Sequence, residues 1–175
     1  MGAIGRAIAR RLGGFGCDLR YHDARPLPDA TEHALGLRRA ALESELLPES
    51  DGVVLALPLT PATLHLFDAA RLARMKPGAM LINPARGSLV DEAAVAAALA
   101  SGHLGGYAAD VFECEDWARA DRPAAIHPGL LASDRTVLTP HLGSAVDDVR
   151  RAIAHAAVDS VIALLEGRTP PGCVN

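Results

Sequence analysis

Aromatic side chains are scarce in this sequence, 3% of 175 residues against 50% hydrophobic residues overall. Large rings therefore cannot dominate the core, which must be built from Ala, Val, Leu and Ile, a composition suited to a parallel sheet covered on both faces. Cysteine is thin as well. Cys17, Cys114 and Cys173 are odd in number, far apart and without CxxC spacing, which argues against a disulfide framework or a zinc site and fits a reducing cytoplasm. No metal is expected. Positive charge is not in excess: the net charge is -4 and the pair Arg38-Arg39 is too short for a binding patch, so no nucleic-acid partner is expected. No apolar run approaches the roughly 18 residues of a membrane span, and no charged leader runs into an apolar stretch with a cleavage site. Neither a membrane nor export is indicated, and the expected location is cytoplasmic. The length bounds a single globular domain able to bury roughly 70% of its unfolded surface.

What is present is an alternation of strands and helices. Ile4, Ile8 and Leu12 form a stripe at four-residue spacing on a helix that ends at Gly13-Gly14. A strand from Cys17 to His22 leads into Asp23. Between Asp29 and Glu49 the pattern allows a short helix near Thr31, a short edge strand around Leu37 to Arg39, and a helix through Leu42, Leu46 and Leu47. Val53 to Leu57 is a continuous apolar run stopped by Pro58, which reads as a strand buried on both faces. Asp68 is placed to cap a helix running to Met75, and Asp91 to cap the alanine-rich helix Glu92 to Ala100. Between those helices Ala79 to Asn83 reads as another buried strand, halted at Pro84. Gly105-Gly106 opens a strand from Tyr107 to Val111, after which Phe112 to Ser133 is a long acidic loop, too long to be a mere connection. Thr136 to Thr139 is the last strand, and Ala145 to Glu166 a long helix closed by Gly167. This order predicts an α/β fold, a doubly wound parallel sheet with right-handed crossovers.

Open parallel sheets bind ligands outside the carboxyl ends of their strands. At those positions the sequence places Asp23, Leu57-Pro58, Pro84-Ala85-Arg86, Asp110 and Pro140-His141. At the N-terminus Gly2 and Gly5 match the second and third glycines of a GxGxxG dinucleotide-binding turn whose first glycine is absent; two such glycines taken alone are more often just a helix start. Asp23 lies 18 residues beyond Gly5, about where a Rossmann unit places the acid that binds the adenosine ribose, though it also suits a turn before Pro26 and Pro28. Arg86, between Pro84 and Gly87, is a planar cation able to grip an oxyanion through two parallel hydrogen bonds. His141, between a strand and a helix start, could move a proton near neutral pH. The other six histidines lack such a position. An acid/base histidine needs a carboxylate to orient it, and the loop offers Glu113, Glu115, Asp116 and Asp121; spacing does not choose among them, and a solvated acidic loop accounts for at least two. Nucleophilic catalysis finds no GxSxG elbow and no cysteine at a strand exit.

These residues resemble the D-isomer-specific 2-hydroxyacid dehydrogenase family, whose nucleotide domain carries GxGxxG, Asn-Pro-x-Arg-Gly, Asp-Val-Phe-x-x-Glu and Pro-His-x-Gly; all but the first glycine are here. Within that family the sequence is most similar to the phosphonate dehydrogenase branch, which oxidises phosphite with NAD. The similarity lies in Tyr21-His22-Asp23-Ala24-Arg25, in Gly106 to Phe112, and above all in Glu115-Asp116-Trp117-Ala118-Arg119-Ala120-Asp121-Arg122-Pro123. Ordinary family members tend to have proline directly after that glutamate. The resemblance implies a Rossmann-type NAD-binding domain, with Arg86 binding the substrate anion, Glu115 rather than Glu113 paired with the histidine, and His141 as catalytic acid/base. It implies an NAD site formed by Gly2, Ala3, Ile4, Gly5, Asp23, Ala56, Leu57, Pro58, Pro84, Ala85, Arg86, Asp110, His141, Leu142, Gly143 and Ser144. Asp23 favours NAD over NADP because a carboxylate accepts from ribose hydroxyls and repels a 2'-phosphate, a preference that Arg25 could soften.

The implied function is NAD-dependent oxidation of phosphite to phosphate. The alternatives are a D-2-hydroxyacid dehydrogenase or 2-ketoacid reductase, which needs the same Arg, Glu and His, and a non-catalytic NAD(H)-binding fragment. The partner is a small anionic substrate, phosphite or a 2-hydroxy acid, and a homodimer is expected when the protein is complete. The division expected is an incomplete nucleotide domain over residues 1–144 and a long helix and tail over 145–175. Family members carry a substrate domain before the glycine turn, and it and the first strand are expected to be missing here. That strand would lie at the centre of the sheet, so the strands ending at His22 and Leu57 are each expected to lose a row of hydrogen bonds. At roughly 1 to 3 kcal/mol per unpaired buried group, the chain alone is expected to fold poorly and to be an inactive fragment.

Overall fold

The computed structural model describes residues 1–173, and the chain divides into two compact units, Met1–Thr139 and a second beginning at Pro140. In the first unit, helix α1 (Ala3–Leu12) runs into a 3-10 turn (Gly13–Phe15) that ends on Gly16, where φ of 71° needs a residue without a Cβ. Strand β1 (Leu19–Tyr21), helix α2 (Asp29–Leu35) and strand β2 (Leu37–Arg39) follow, with β1 and β2 paired in parallel. The helix expected through Leu42, Leu46 and Leu47 forms in two pieces, a π-helical turn (Leu42–Leu46) and the short α3 (Leu47–Glu49). Pro48 lacks the N–H that an uninterrupted ladder would use at that point.

The second sheet is parallel throughout and ordered β3 (Gly52–Val54), β4 (Met80–Asn83), β5 (Gly106–Ala109), β6 (Thr136–Leu138). Helices α4 (Ala69–Leu72), α5 (Glu92–Ala100) and α6 (Pro128–Leu131) occupy the three connections. Register places Val53 opposite Leu81, and Leu81 opposite Tyr107. Among the described residues β1 pairs only with β2, and β3 only with β4.

Two strands are shorter than their apolar runs. Regular pairing of β3 stops at Val54; Leu55 still donates to the Ile82 carbonyl at 2.9 Å, and the chain then turns out of the sheet ahead of Pro58. Likewise β5 stops at Ala109, with the Asp110 amide donating to the Asn83 carbonyl at 3.2 Å. Both expected caps form. Asp68 accepts from the Arg71 amide, and Asp91 from the amides of Ala93 and Ala94. α4 nevertheless ends at Leu72 instead of Met75, because the Met75 amide turns back to the Leu72 carbonyl at 3.1 Å and tightens the last turn. The long acidic loop is only partly irregular, since it holds a 3-10 turn (Glu113–Glu115) and α6. The main core, centred on β4, buries Phe67, Leu72, Leu81, Leu89, Val95, Leu104 and Leu130; a separate small cluster of Ala9, Tyr21, Leu27 and Leu37 lies under β1 and β2.

In the second unit helix α7 spans Asp147–Leu165. It starts later than Ala145 because the Ala145 amide folds onto the Leu142 carbonyl at 2.8 Å. It ends as expected at Gly167, where φ is 71° and the amides of Gly167 and Arg168 reach back to the carbonyls of Leu164 and Ala163, a Schellman closure. Residues 174 and 175 of the expected 145–175 segment lie outside the described residues. No described helix is long and apolar enough to cross a membrane.

Candidate active site at the carboxyl edge of the sheet

The turn after β4 is built by one buried amide. Asn83 is fully enclosed; its Oδ1 accepts from the Ala85 amide at 3.1 Å and its Nδ2 donates to the Arg86 carbonyl at 2.8 Å. Pro84, Ala85 and Arg86 are thereby fixed as a rigid turn. The Arg86 side chain donates to the adjacent Ala85 carbonyl at 2.7 Å through Nη1, an exposed bond that leaves the other guanidinium donors available to a ligand. Immediately beyond, a Cβ on Gly87 would sit 1.9 Å from the Phe112 carbonyl carbon, and the Ser88 amide donates to Asp116 Oδ2 at 2.7 Å. Glycine is what lets the arginine turn lie directly against the acidic loop. Within that loop Glu115 Oε1 accepts from the Phe112 amide at 2.9 Å, which winds the turn that carries it.

The remaining strand exits make contacts of their own. Asp110, at the end of β5, accepts from the Thr139 hydroxyl at the end of β6, at 2.5 Å. Gly5 is buried; a Cβ there would meet the Met1 side chain at 2.7 Å and the Ala56 Cβ at an ordinary contact distance of 3.6 Å, so α1 lies beside the exit of β3, where Ala56, Leu57 and Pro58 leave the sheet. Asp23, at the exit of β1, faces the terminal ammonium of Met1 at 2.8 Å and accepts from the Arg25 amide at 3.0 Å; these two donors, in that order, hold its carboxyl below the ordinary carboxylate range. Gly2 is the N-cap of α1 and offers no side-chain cap, which leaves the first-turn amides around Ala3 and Ile4 open to an anion. An ionised carboxylate at Asp23 and an uncapped helix start suit a ribose and a pyrophosphate. His141, Leu142, Gly143 and Ser144 belong to the second unit, are exposed, and precede α7, with His141 in the left-handed region at φ 56°.

Part of the polar framework has no counterpart among the sequence expectations. Of the four acids in the loop, Glu113 and Asp116 are buried whereas Asp121 is exposed. Three donors converge on Glu113: the Glu92 amide on Oε1 at 3.0 Å, and on Oε2 both His65 Nε2 at 2.8 Å and Arg119 Nη1 at 3.0 Å. Its oxygens therefore act as acceptors and His65 Nε2 carries the shared hydrogen, so the 3.4 Å approach of Arg119 Nη1 to that nitrogen is a contact and not a bond. Glu92 returns the arrangement, its Oε1 accepting from the Glu113 amide and its Oε2 from the His127 amide, both at 2.8 Å; burial pushes its carboxyl above the ordinary range. His65, one of the six histidines without a strand-exit position, sits at φ 47° and its amide donates to the Ser88 carbonyl at 2.8 Å. Nothing in the sequence around Glu92 or His65 marks these long-range partners.

A parallel sheet with glycine at a helix start, an acid at the next strand exit and ligand groups along one edge defines a nicotinamide dinucleotide-binding domain of Rossmann type. The chain belongs to the D-isomer-specific 2-hydroxyacid dehydrogenase family, whose NAD-binding domain, described as "D-isomer specific 2-hydroxyacid dehydrogenase, NAD binding domain", matches residues 1–143. It is 42% identical over 174 residues to a glyoxylate reductase of Thermococcus onnurineus, covering 99% of this chain and 49% of that protein. It is 42% identical over 176 residues to glyoxylate/hydroxypyruvate reductase B of Shigella boydii, covering 100% of this chain and 52% of that protein. Among solved structures the TT0316 protein from Thermus thermophilus superposes with a TM-score of 0.86 at 43% identity, over 100% of this chain and 51% of that one. The chain thus spans about half the length of the curated relatives it matches. The cofactor is NAD, as the family domain states. These relatives are named for glyoxylate and hydroxypyruvate, and the phosphite-specific resemblance reduces to membership of the broader family.

Proposed function

We propose that this chain is the NAD-binding and catalytic portion of a reductase acting on small 2-keto acids of the glyoxylate and hydroxypyruvate kind, run in reverse as a D-2-hydroxyacid dehydrogenase. The observation that carries the reading is Arg86, a guanidinium on a turn made rigid by Asn83 at the ligand-binding edge. Arg86 pairs with the substrate carboxylate and draws on the carbonyl oxygen as negative charge develops there. His141 gives a proton to that oxygen in reduction and takes it back in oxidation, and Glu115 orients the imidazole and stabilises its charged form. NADH, when bound, supplies the hydride that the carbonyl carbon accepts. Gly2 to Gly5 and Asp23 receive the pyrophosphate and ribose; Ala56 to Pro58, Pro84, Ala85, Asp110 and Leu142 to Ser144 line the rest of the cofactor's path. Residues 1–144 form the nucleotide-binding portion and 145–175 a return segment, and the complete protein works in the cytoplasm as a homodimer.

A second reading, oxidation of phosphite, is favoured by one feature, the run Glu115-Asp116-Trp117 to Arg122-Pro123. One assay on the full natural protein carrying this chain decides between them. NADH consumption is expected with glyoxylate or hydroxypyruvate. NADH formation from NAD and phosphite, with no turnover of the keto acids, would transfer the proposal to the second reading. Tight NADH binding without turnover of either, unaffected by His141→Ala, would leave a binding module.

A further inference from the structure

Arg119 is the hub of the polar framework behind the arginine turn. Its side chain is 15% exposed. Nη1 donates to Glu113 Oε2 at 3.0 Å and to the Ser88 hydroxyl at 2.8 Å, while Nε and Nη2 grip Asp121 at 3.2 and 3.1 Å. Ser88 and Glu113 belong to different parts of the edge. Ser88 is two residues beyond Arg86 on the rigid turn; Glu113 opens the short turn that carries Glu115, and is itself held by His65 and by the Glu92 amide. The Ser88 amide completes the circuit by donating to Asp116.

We propose that Arg119 is a positioning residue for Arg86: by tying Ser88 to Glu113 it fixes the substrate-anion turn against the turn that carries Glu115, a role that rests on the reductase reading above. Three features support an assignment beyond bulk stability. The fork makes two bonds to Asp121 on one side and two to the framework on the other, which a lysine, with one nitrogen, cannot reproduce. Gly87 packs on the Phe112 carbonyl with no room for a Cβ, so small shifts between the two turns pass directly to Arg86. The hydrophobic core meets this boundary through Leu89 and Phe112, and the side chains between the two turns, Ser88, Glu113, Asp116 and Arg119, join them by polar bonds.

The test uses the full natural protein, with Arg119→Met, Arg119→Lys and Arg86→Met, reading KM and kcat for glyoxylate and the dissociation constant of NADH separately. Arg119→Met is expected to lower kcat/KM for the keto acid by roughly 10- to 100-fold, the scale of a misplacement of about 1 Å, with NADH binding unchanged. Arg119→Lys is expected to recover only part of the loss. Keto-acid kinetics unchanged in Arg119→Met, or NADH binding weakened in the same proportion as keto-acid turnover, would overturn the positioning role. Arg86→Met separates the two ideas: if it abolishes turnover while Arg119→Met does nothing, the reductase reading stands and the positioning role falls; if it leaves turnover intact, the anion-clamp reading falls and the positioning role with it. Should Arg119→Met fail to give a cooperative melt, amide exchange in Arg119→Lys decides. Faster exchange at Ser88 with the Leu81 amide unchanged supports the role, and equal exchange at Ser88 overturns it.

Discussion

The two sheets of the first unit are held by different means. β4 has a parallel neighbour on each side, Leu81 on it is completely buried, and the surrounding cluster runs from Ala40 to Leu130. Among the described residues β1 has one neighbour, and the cluster beneath it is Ala9, Tyr21, Leu27 and Leu37 with a few half-buried partners. What the smaller sheet lacks in apolar area it supplements with polar bonds. The Tyr21 hydroxyl donates to Glu32 and accepts from the Leu27 amide, Arg20 pairs with Asp18 and Glu49, and Asp23 faces the Met1 ammonium. The exposed Arg20 pairs contribute little individually, whereas Tyr21 is buried. The proposed chemistry follows the same division: Arg86 and Glu115, proposed for the substrate end, rise from the well-packed sheet, and Asp23, proposed for the adenosine ribose, from the sparse one. On the proposed function, rigid support lies where bond-making needs placement, and the looser sheet serves a part of the cofactor that is only held.

If the contrast is correct, the largest disturbance comes from crowding the junction between the arginine turn and the acidic loop. Gly87→Ala puts a Cβ 1.9 Å from the Phe112 carbonyl carbon and 2.1 Å from its oxygen, both backbone atoms that no rotamer change can move. Overpacking typically costs about 1 to 3 kcal/mol, and a backbone collision belongs at or above that upper bound. The expected result is a marked fall in the denaturation midpoint together with loss of turnover. A variant with unaltered midpoint and turnover would show that the two turns are not locked. Next comes Leu81→Ala, expected to lose about 2 to 5 kcal/mol of global stability by denaturant titration, because the fully buried site on β4 cannot collapse easily.

Glu92→Gln tests the polar part of the well-packed half and is expected to cost about 1 to 3 kcal/mol, since an amide presents a donor to one of the two N–H groups that the carboxylate accepts. Its pH dependence has a definite sign. Burial raises the Glu92 carboxyl above its unfolded value, so its contribution is fully present below the ordinary carboxylate range of about 4.3 and is lost as pH rises through the elevated value. In wild type, stability should therefore carry a component that falls on that rise, and Glu92→Gln should remove it. Titration curves of identical shape for the two proteins would contradict the assignment.

How far the sequence foretells this arrangement depends on whether the cause is local. Asp91 before Glu92 and a run of alanines is a helix start by short-range chemistry alone, and it forms as expected. The turn Asn83-Pro84-Ala85-Arg86 is legible too, because the side chain that rigidifies it is its own neighbour in sequence. Glu113 and Asp121 are the opposite case. Both are acids in one acidic loop, yet the first is buried and the second exposed. The difference is made by His65, far upstream, and by the Glu92 amide at the head of α5. Strand lengths fail for a related reason: Leu55, which keeps a single bond to the Ile82 carbonyl, and Val111, beyond the end of β5, are both buried, and hydrophobicity does not distinguish cover from pairing.

Leu37→Ala is the smallest of these perturbations and the most informative about the contrast. Leu37 begins β2 opposite Leu19 and closes the minor cluster, at the rim of the buried class with 9% of its surface exposed. The cost of truncating a leucine grows with the cavity left behind, and few neighbours surround this one, so about 1 to 2 kcal/mol is expected, below the usual range for leucine. The loss should be local. Amide exchange is expected to quicken across Leu19–Tyr21 and Leu37–Arg39 while the amides of β4 and β5 keep their protection, because opening the two-stranded sheet breaks no ladder in the four-stranded one. NADH binding should weaken through Asp23 at the exit of β1, whereas the Arg86 turn stays in place. If Leu37→Ala instead lowers protection on β4 and β5 as much as Leu81→Ala does, the two sheets open together, and the Arg20–Glu49 pair between β1 and α3 couples them more strongly than its exposure suggests.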